Sequence, residues 1–295
     1  STRAHLQRSE VCPLCRNHCR ITIVEAGEDR AAWGFLCGRE YKDREFKERP
    51  LPFPSIAKVY DQAAKTHRES SRPAPHRQPT IGIPLALGLM EYRWLWEDFF
   101  SRLGFRTVVS LQGRDILRRG KASAEAEFCS PILLAHGHTG WLVDKGVDFV
   151  FFPIMLHGPR PEPSFSRSFF CYYSAQAPVL LRNSSLFRGS ARMLSPVVDL
   201  RLEPGKTADS LFRALGRTLQ VSRDEIRLAF AASFNLFLDS KRALLEAGRE
   251  ALRDIEGRNS FGVVLLGRPY NILDRSLNQS IPDLIQQQGC RVLTA

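Results

Sequence analysis

From residue 80 onward, the hydrophobic positions alternate between short apolar runs and longer stretches with helical periodicity. Four apolar runs have the length of a strand: TIGIPLAL (80–87), RTVVSL (106–111), VDFVFFP (147–153) and FGVVLLG (261–267). Between them, LMEYRWLWEDFFSRLGF (89–105) and PILLAHGHTGWLVDKG (131–146) carry apolar residues at helical spacing, and Gly104 is placed to end the first. Strands that alternate with helices predict a parallel sheet with right-handed crossovers, which is an α/β fold.

The same pattern predicts several further elements. Ser222, with Glu225 three residues later, forms a capping box that should begin one long helix ending at Gly257. One face of this helix is predicted to pack in the core, and its stripe consists of Phe230, Phe234, Phe237, Leu244, Leu245 and Leu252. The remaining candidates are strands at RITIVEA (20–26), VLL (179–181), MLSPVVDL (193–200) and CRVLTA (290–295), and helices near 114–126 and over 281–289.

Four regions follow from these elements. Residues 1–59 form a small cysteine-rich module with a connecting segment, and the polar, proline-bearing residues 60–79 read as a linker. Residues 80–258 form the main α/β domain, and 259–295 begin a second α/β unit. Because the chain starts with Ser and ends within a strand, we expect a piece of a longer polypeptide.

Composition and charge narrow the function classes. The 295 residues are 43% hydrophobic and 25% charged, as in ordinary globular proteins. The net charge of +11 could attract nucleic acid, acidic lipid or phosphorylated ligands. The positive residues of the chain are dispersed, with one modest cluster at Arg114, Arg118, Arg119 and Lys121, so a solvated basic face is favoured over nucleic-acid binding.

The longest apolar run (147–156) is too short to cross a bilayer and no leader is evident, so we expect a cytoplasmic protein.

Four of the seven cysteines crowd near the N-terminus. Cys12, Cys15 and Cys19 are spaced C-x2-C-x3-C, and Cys37 follows 18 positions after Cys19. Two thiols separated by two residues can reach one metal from a tight turn, and a distant fourth can complete a tetrahedron. The spacing therefore predicts a metal site in a reducing compartment, and it leaves zinc and an iron–sulfur cluster open.

A second candidate site lies in FCSPILLAHGH (128–138). Cys129 stands just before Pro131, which suits the first turn of a helix, where unpaired backbone N–H groups stabilise a thiolate. Such a thiolate could ligate a cluster or act as a nucleophile. The alternative, a buried cysteine packed as a small hydrophobe, stays equally open at this point. His136 and His138 do not share a helical face, so His136 is interpreted as a core-satisfied or loop-binding histidine rather than half of a metal pair.

The third candidate is the loop in LLGRPYNILDRSLNQSIPDL (265–284). In a parallel sheet it would lie at the carboxyl edge, where ligands bind. Four side chains could contact an anionic or carbonyl-bearing ligand: Arg268, Tyr270, Asn271 and Asn278. The alternative is a self-bonded loop in which Asp274 and Asn278 cap turns. Cys171 is placed in a loop before the short strand 179–181, and its position alone favours no role.

Three segments carry a family resemblance: residues 81–110, 129–153 and 262–294, with GRPYNxxDxxLNxxIPxL the most specific part. They resemble the 2-hydroxyacyl-CoA dehydratase D-component-like proteins and the large activase-related proteins in which an ATPase activator is fused ahead of a dehydratase-like region. The resemblance implies Rossmann-like α/β domains and an iron–sulfur cluster, either 4Fe–4S or double-cubane. It also implies an ATP-driven activator that passes a low-potential electron to that cluster.

The resemblance also implies roles for particular residues. Cys129 and Cys171 match the family's cluster cysteines, and the N-terminal cysteines match a zinc or second iron–sulfur site. The loop of Arg268, Tyr270, Asn271 and Asn278, together with His136, is assigned to the substrate side. Leu133 and Tyr172 stand where the family usually has lysine and proline, which indicates a divergent member.

Two hypotheses follow. The first is an iron–sulfur region of dehydratase or reductase type that supports radical dehydration or reduction of a CoA thioester or another small substrate. Its expected partners are the fused or separate activator module and a second subunit in a homo- or heterodimer. The alternative is a non-catalytic zinc-knuckle protein whose basic α/β body binds nucleic acid or an acidic partner.

Overall fold

The computed structural model describes residues 6–12, 19–26, 29–35, 51–65, 77–159, 169–187, 191–258 and 260–294. At the N-terminus, β1 (Leu6–Val11), β2 (Arg20–Ala26) and β3 (Asp29–Trp33) form an antiparallel sheet in chain order. The predicted strand RITIVEA is β2. Its alternating Ile21 and Ile23 are buried, and the two cysteines that flank the β1–β2 connection, Cys12 and Cys19, pack with them.

The main sheet has four parallel strands in the order β5-β4-β6-β8. They are β4 (Arg77–Ile83), β5 (Phe105–Val109), β6 (Phe149–Phe151) and β8 (Arg192–Leu194). After Pro153 and Pro196, the chain resumes as β7 (Ile154–His157) and β9 (Val197–Asp199), which pair in parallel. Proline cannot donate to a ladder, so it accounts for the interruption between each pair of strand segments.

In the described ranges, seven α-helices precede, connect or follow these strands. They are α1 (Ile56–Lys65), α2 (Gly88–Arg102), α3 (Arg114–Ser123), α4 (Ser130–Asp144), α5 (Tyr172–Arg182), α6 (Pro204–Leu219) and α7 (Arg223–Gly257), with a short 3-10 helix at Ser185–Phe187. The alternation of parallel strands and helices confirms the predicted Rossmann-like α/β class. The predicted linker, 60–79, differs from the structure at both ends: residues 60–65 belong to α1 and 77–79 belong to β4, while 66–76 lie outside the described residues.

Aromatic side chains fill the core between the main sheet and helices α2 and α7. The centre of the Phe151 ring lies 4.9 Å from that of Trp96 and 4.8 Å from that of Phe100. Phe230 of α7 stacks against Phe234 and also approaches Trp96. The first half of the predicted stripe is therefore confirmed as a core face that packs against α2. The second half of the prediction was wrong, because Leu245 and Leu252 are 64% and 50% exposed.

Two glycines let α3 and α4 pack backbone to backbone. A Cβ atom at Gly120 would lie 1.7 Å from the carbonyl oxygen of Leu133, and one at Gly137 would lie 1.9 Å from that of Ile116. Any side chain would therefore force the two helices apart. This contact fixes the position of α4, and with it the residue that begins α4, Cys129.

The C-terminal unit is a smaller parallel pair. Strand β10 (Gly262–Leu265) pairs with β11 (Arg291–Thr294), and α8 (Pro269–Leu273), α9 (Arg275–Asn278) and α10 (Ile281–Gln287) connect them. The C-terminal part of α7 is tied to this unit, because Arg291 Nη1 donates to Asp254 Oδ2 at 2.8 Å.

Two details differ from the prediction. The apolar run VLL (179–181) is not a strand but the last turns of α5, with Leu181 buried and Val179 and Leu180 partly exposed. Three apolar residues are too few to distinguish a strand from a helix. Strand β10 is parallel as predicted but is not buried, since Val264 is 53% exposed.

Candidate functional site

Two cysteines occupy equivalent positions at the start of two helices. Cys129 is the N-cap of α4, whose first turn contains Pro131, and Cys171 is the N-cap of α5. Neither thiol caps its helix by a hydrogen bond. Cys129 is exposed and Cys171 is partly buried. Cys129 is therefore at the predicted helix start, whereas the prediction of a loop before a strand at Cys171 was wrong.

Tyr270 brings the two thiols into one neighbourhood. Burial raises the pKa of Tyr270, the charge of Cys171 raises it further, Arg268 opposes the rise, and Cys129 adds to it. Both thiols are therefore within electrostatic range of the phenol, and the two helices that they begin, α4 and α5, are in contact. The Nη1 atom of Arg268 donates to the carbonyl oxygen of Phe169, two residues before Cys171, at 3.3 Å. The loop after β10 is thereby held against the start of α5.

A cavity of about 200 Å³ opens beside these residues, and we call it the crevice. It lies at the carboxyl ends of β4, β7 and β10, where the following loops meet. Its lining includes Gly88, Tyr92, Gly158, Phe169, Arg268 and Tyr270. Ligands of open α/β sheets bind at this edge, so the position agrees with the general rule for the fold.

Strain and buried charge mark the α2 side of the crevice. Leu87, which precedes α2, has φ +50° and ψ −135°, a conformation that residues other than glycine rarely adopt. Glu91 accepts a hydrogen bond from Lys241 Nζ at 2.8 Å and also borders a neighbouring cavity of about 330 Å³. Tyr92 is buried in the crevice wall, and its burial, aided by Glu91, raises its pKa well above the ordinary value. Its hydroxyl therefore stays protonated at neutral pH.

A histidine–carboxylate pair that was not predicted lies at the same edge. His157 ends β7, and its Nδ1–H donates to Asp199 Oδ2, at the end of β9, over 2.9 Å. Arg201 donates to both oxygens of Asp199. Burial alone would raise the pKa of Asp199, but the hydrogen bonds from Arg201 and His157 lower it overall. The carboxylate is therefore ionised and fixes the His157 ring.

The other nitrogen of His157 is buried and unpartnered. Its Nε2 has no hydrogen-bond partner among the described residues. The ring of Phe169, which lines the crevice, lies 4.5 Å from the His157 ring. No sequence pattern marked this pair, because the strands that carry His157 and Asp199 meet only in the folded sheet.

The remaining residues predicted for the substrate side have different surroundings. Asn271 is exposed on α8. Asn278 uses both ends of its amide within its own loop, donating to the Ile272 carbonyl and accepting from the Ser280 N–H. Asp274 accepts from Ser276 and Leu277 N–H groups, so the loop is self-bonded as the alternative interpretation described.

Both histidines of the HGH segment are buried in α4. The Nδ1–H of His136 donates to the carbonyl oxygen of Ile132 at 2.9 Å, and its ring stacks on Phe128. His138 lies 2.9 Å from Ser110 Oγ through Nδ1, and burial lowers its pKa to about 4. Neither histidine lines the crevice in the described structure, which matches a core role for His136.

The N-terminal cysteines are described only in part. Cys12 and Cys19 are both buried and face each other where β1 and β2 join, with Cys12 N–H donating to the Cys19 carbonyl at 2.9 Å. Cys15 and Cys37 lie outside the described residues. Within the described part of the chain, no three His, Cys, Asp or Glu side chains converge to hold a metal ion.

The predicted basic cluster is partly neutralised by neighbouring carboxylates. Arg118 pairs with Asp115, and Arg119 pairs with Asp144 of α4. Two of the four positive charges in the predicted cluster are therefore paired with carboxylates. None of the helices in the described ranges is long and apolar enough to span a membrane.

The described site is thus a crevice at the carboxyl edge of a Rossmann-like α/β region, and one of its lining residues, Tyr270, is influenced by the two helix-capping cysteines. Residues 80–295 match the family model described as "CoA enzyme activase uncharacterised domain (DUF2229)", and the chain belongs to this family. Comparisons with curated proteins and with solved structures gave no match. The match agrees with the activase-related part of the resemblance found in the sequence.

Proposed function

We propose that this chain is the cluster-holding region of an iron–sulfur protein related to the 2-hydroxyacyl-CoA dehydratases. In this proposal a cytoplasmic ATP-driven activator module, fused or separate, delivers a low-potential electron for dehydration or reduction of a CoA thioester or another small substrate. One observation carries the proposal: Cys129 and Cys171, 42 positions apart in the sequence, begin two helices, α4 and α5, that are in contact with each other.

The donor set fits an iron–sulfur cluster in kind. Thiolates are the usual ligands of such clusters, and the N-terminus of a helix favours their negative charge. Cys129 and Cys171 would be two of the four ligands that a 4Fe–4S cluster takes. The others would come from another part of the protein or from a second subunit. When bound, the cluster would supply one-electron reduction at the crevice.

The crevice residues would bind and orient the substrate. The guanidinium of Arg268 is exposed at the mouth, where it can attract the negative charges of a CoA ester. Tyr270 stays protonated at neutral pH because its pKa is raised, so its hydroxyl can donate to a thioester carbonyl. His157, held by Asp199, can accept or release a proton at Nε2 once the Phe169 ring moves aside.

The test is anaerobic reconstitution of the full-length protein with iron and sulfide, followed by iron analysis and electron paramagnetic resonance before and after reduction. We expect Cys129→Ala and Cys171→Ala each to lower bound iron and to alter the spectrum of the reduced protein. Cys290→Ala is the matched control, because Cys290 is also a partly buried cysteine but precedes β11 rather than a helix.

Two results would count against the proposal. Absence of iron from the reconstituted wild-type protein would exclude the cluster. Full iron content with an unchanged spectrum in the Cys129→Ala, Cys171→Ala double variant would exclude these two ligands. Zinc in place of iron, released only by variants of the N-terminal cysteines, would support the zinc-knuckle alternative instead.

A further inference from the structure

A separate cavity of about 310 Å³ lies at the β8 side of the main sheet, and we call it the edge pocket. It forms where β8, the outer strand in the order β5-β4-β6-β8, meets α6 and the end of α5. It shares no lining residue with the crevice. Its lining includes Phe149, Arg182, Arg192, Leu194, Ser195 and Thr218.

The edge pocket carries two positive charges, and no carboxylate in the described residues neutralises them. Arg182 and Arg192 have no carboxylate partner among the described residues, and none of the described lining residues is acidic. The nearest acidic residue along the strands, Asp148, accepts a hydrogen bond from the Thr80 N–H instead. By contrast, Asp209 is shared by two arginines of α7 on the other side of α6.

The position of one guanidinium is fixed by an aromatic ring. The Arg192 guanidinium carbon lies 4.6 Å from the centre of the Phe149 ring. A cation over the face of a ring is held there by electrostatic attraction, so Arg192 is preorganised rather than freely mobile. Binding of an anion would therefore cost less side-chain entropy than at an unconstrained surface arginine.

A buried hydroxyl adds a hydrogen-bond donor. Ser195 Oγ is shielded from solvent and has no hydrogen-bond partner among the described residues. Buried polar atoms are nearly always paired in native proteins, so an unpaired one calls for a partner. An anion bound in the edge pocket could supply the acceptor that this hydroxyl lacks.

We propose that the edge pocket binds the phosphate group of a small organic phosphate ester. Two guanidinium groups match the two negative charges of a phosphate monoester, and Ser195 supplies a neutral donor. The cavity volume lies at the lower end of pockets that hold organic ligands, about 300–1,000 Å³, so it has room for more than a free phosphate ion. Phe149 and Leu194 give the organic part an apolar floor.

The experiment is calorimetric titration of the full chain with phenyl phosphate and, separately, with inorganic phosphate. We expect phenyl phosphate to bind more tightly than inorganic phosphate. Arg182→Gln and Arg192→Gln should each weaken its binding roughly tenfold or more, as loss of a charge-assisted hydrogen bond does. Arg249→Gln, which removes an equal charge from the exposed face of α7, should change the affinity by less than about twofold.

Ser195→Ala is a second variant that leaves the net charge unchanged, and it should weaken binding by roughly fivefold or more. Circular dichroism of each variant shows whether it is folded. No binding of phenyl phosphate at about 10 mM, or equal affinity in wild-type and Arg192→Gln proteins, would overturn the proposal. Equally tight binding of inorganic phosphate would overturn the assignment to an organic ester.

Discussion

The substitution Gly137→Ala tests whether α3 and α4 touch through their backbones. The new Cβ atom would lie 1.9 Å from the Ile116 carbonyl oxygen, and real Cβ contacts are essentially never shorter than 3.0 Å. The contact must therefore lengthen by 1.1 Å, and no side-chain rotation can relieve it because both partners belong to helix backbones. Overpacking of a core costs about 1–3 kcal/mol of stability. Because this contact lies between two rigid backbones, we expect the upper end of that range, about 3 kcal/mol.

Alanine also favours the helix by about 1 kcal/mol over glycine. We therefore expect Gly137→Ala to lower the free energy of unfolding by a net ~2 kcal/mol. The matched control is Gly248→Ala in α7, where a Cβ atom would meet nothing within 4 Å. There only the helix preference acts, so stability should rise by about 0.5–1 kcal/mol.

Urea unfolding followed by circular dichroism measures both changes through the transition midpoint. The reasoning predicts shifts of opposite sign for the same chemical change in two helices. If Gly137→Ala proves as stable as Gly248→Ala, the close approach of α3 and α4 is wrong, and so is the argument that it fixes the position of Cys129.

Three further predictions concern the stability of the fold. Ser222→Ala should lower the free energy of unfolding by about 1 kcal/mol, because the capping box of α7 is lost. Ser222→Gly should lower it by only a few tenths of a kcal/mol, and equal losses in the two variants would contradict the cap. Phe230→Ala should cost about 3–5 kcal/mol in urea unfolding, because its buried ring contacts Trp96 and Phe99, and a loss below about 1 kcal/mol would contradict that packing. His138, with its pKa lowered to about 4 in the fold, binds a proton more readily when unfolded, so stability should fall as pH drops from 6.5 towards 4. At pH 5 the free energy of unfolding should be about 2 kcal/mol lower than at neutral pH. If the His138→Gln variant shows the same dependence of stability on pH, the loss comes from other groups.

Local patterns predicted much of the fold. The capping box at Ser222 and Glu225 predicted the start of α7, because both partners lie within one helical turn. Gly104 predicted the end of α2, and it adopts φ +85° there, donating to the Ser101 carbonyl. Helix α6 was not predicted, although Pro204 at its first turn and the spacing of Leu211 and Leu215 are typical helix signals.

The candidate site was less accessible to sequence reasoning. Pro131 predicted that Cys129 begins a helix, because proline favours the first turn. The same logic failed at Cys171, because Pro178 lies inside α5 and a proline there usually argues against a helix. The pairing of His157 with Asp199 depends on two strands that meet only in the folded sheet, 42 residues apart, and no local pattern reports such a contact.

Helix α7 has 35 residues and is therefore about 52 Å long. Phe230, Phe234 and Phe237 anchor its first half in the large core, while Asp254 and Ile255 in its second half contact Arg291 and Gly262 of the small parallel pair. Because the same helix packs on both sides, local unfolding of α7 at one sheet should also destabilise the other. The two sheets should consequently melt in a single cooperative transition. Amide protons along the whole length of α7 should exchange together and not in two separate classes.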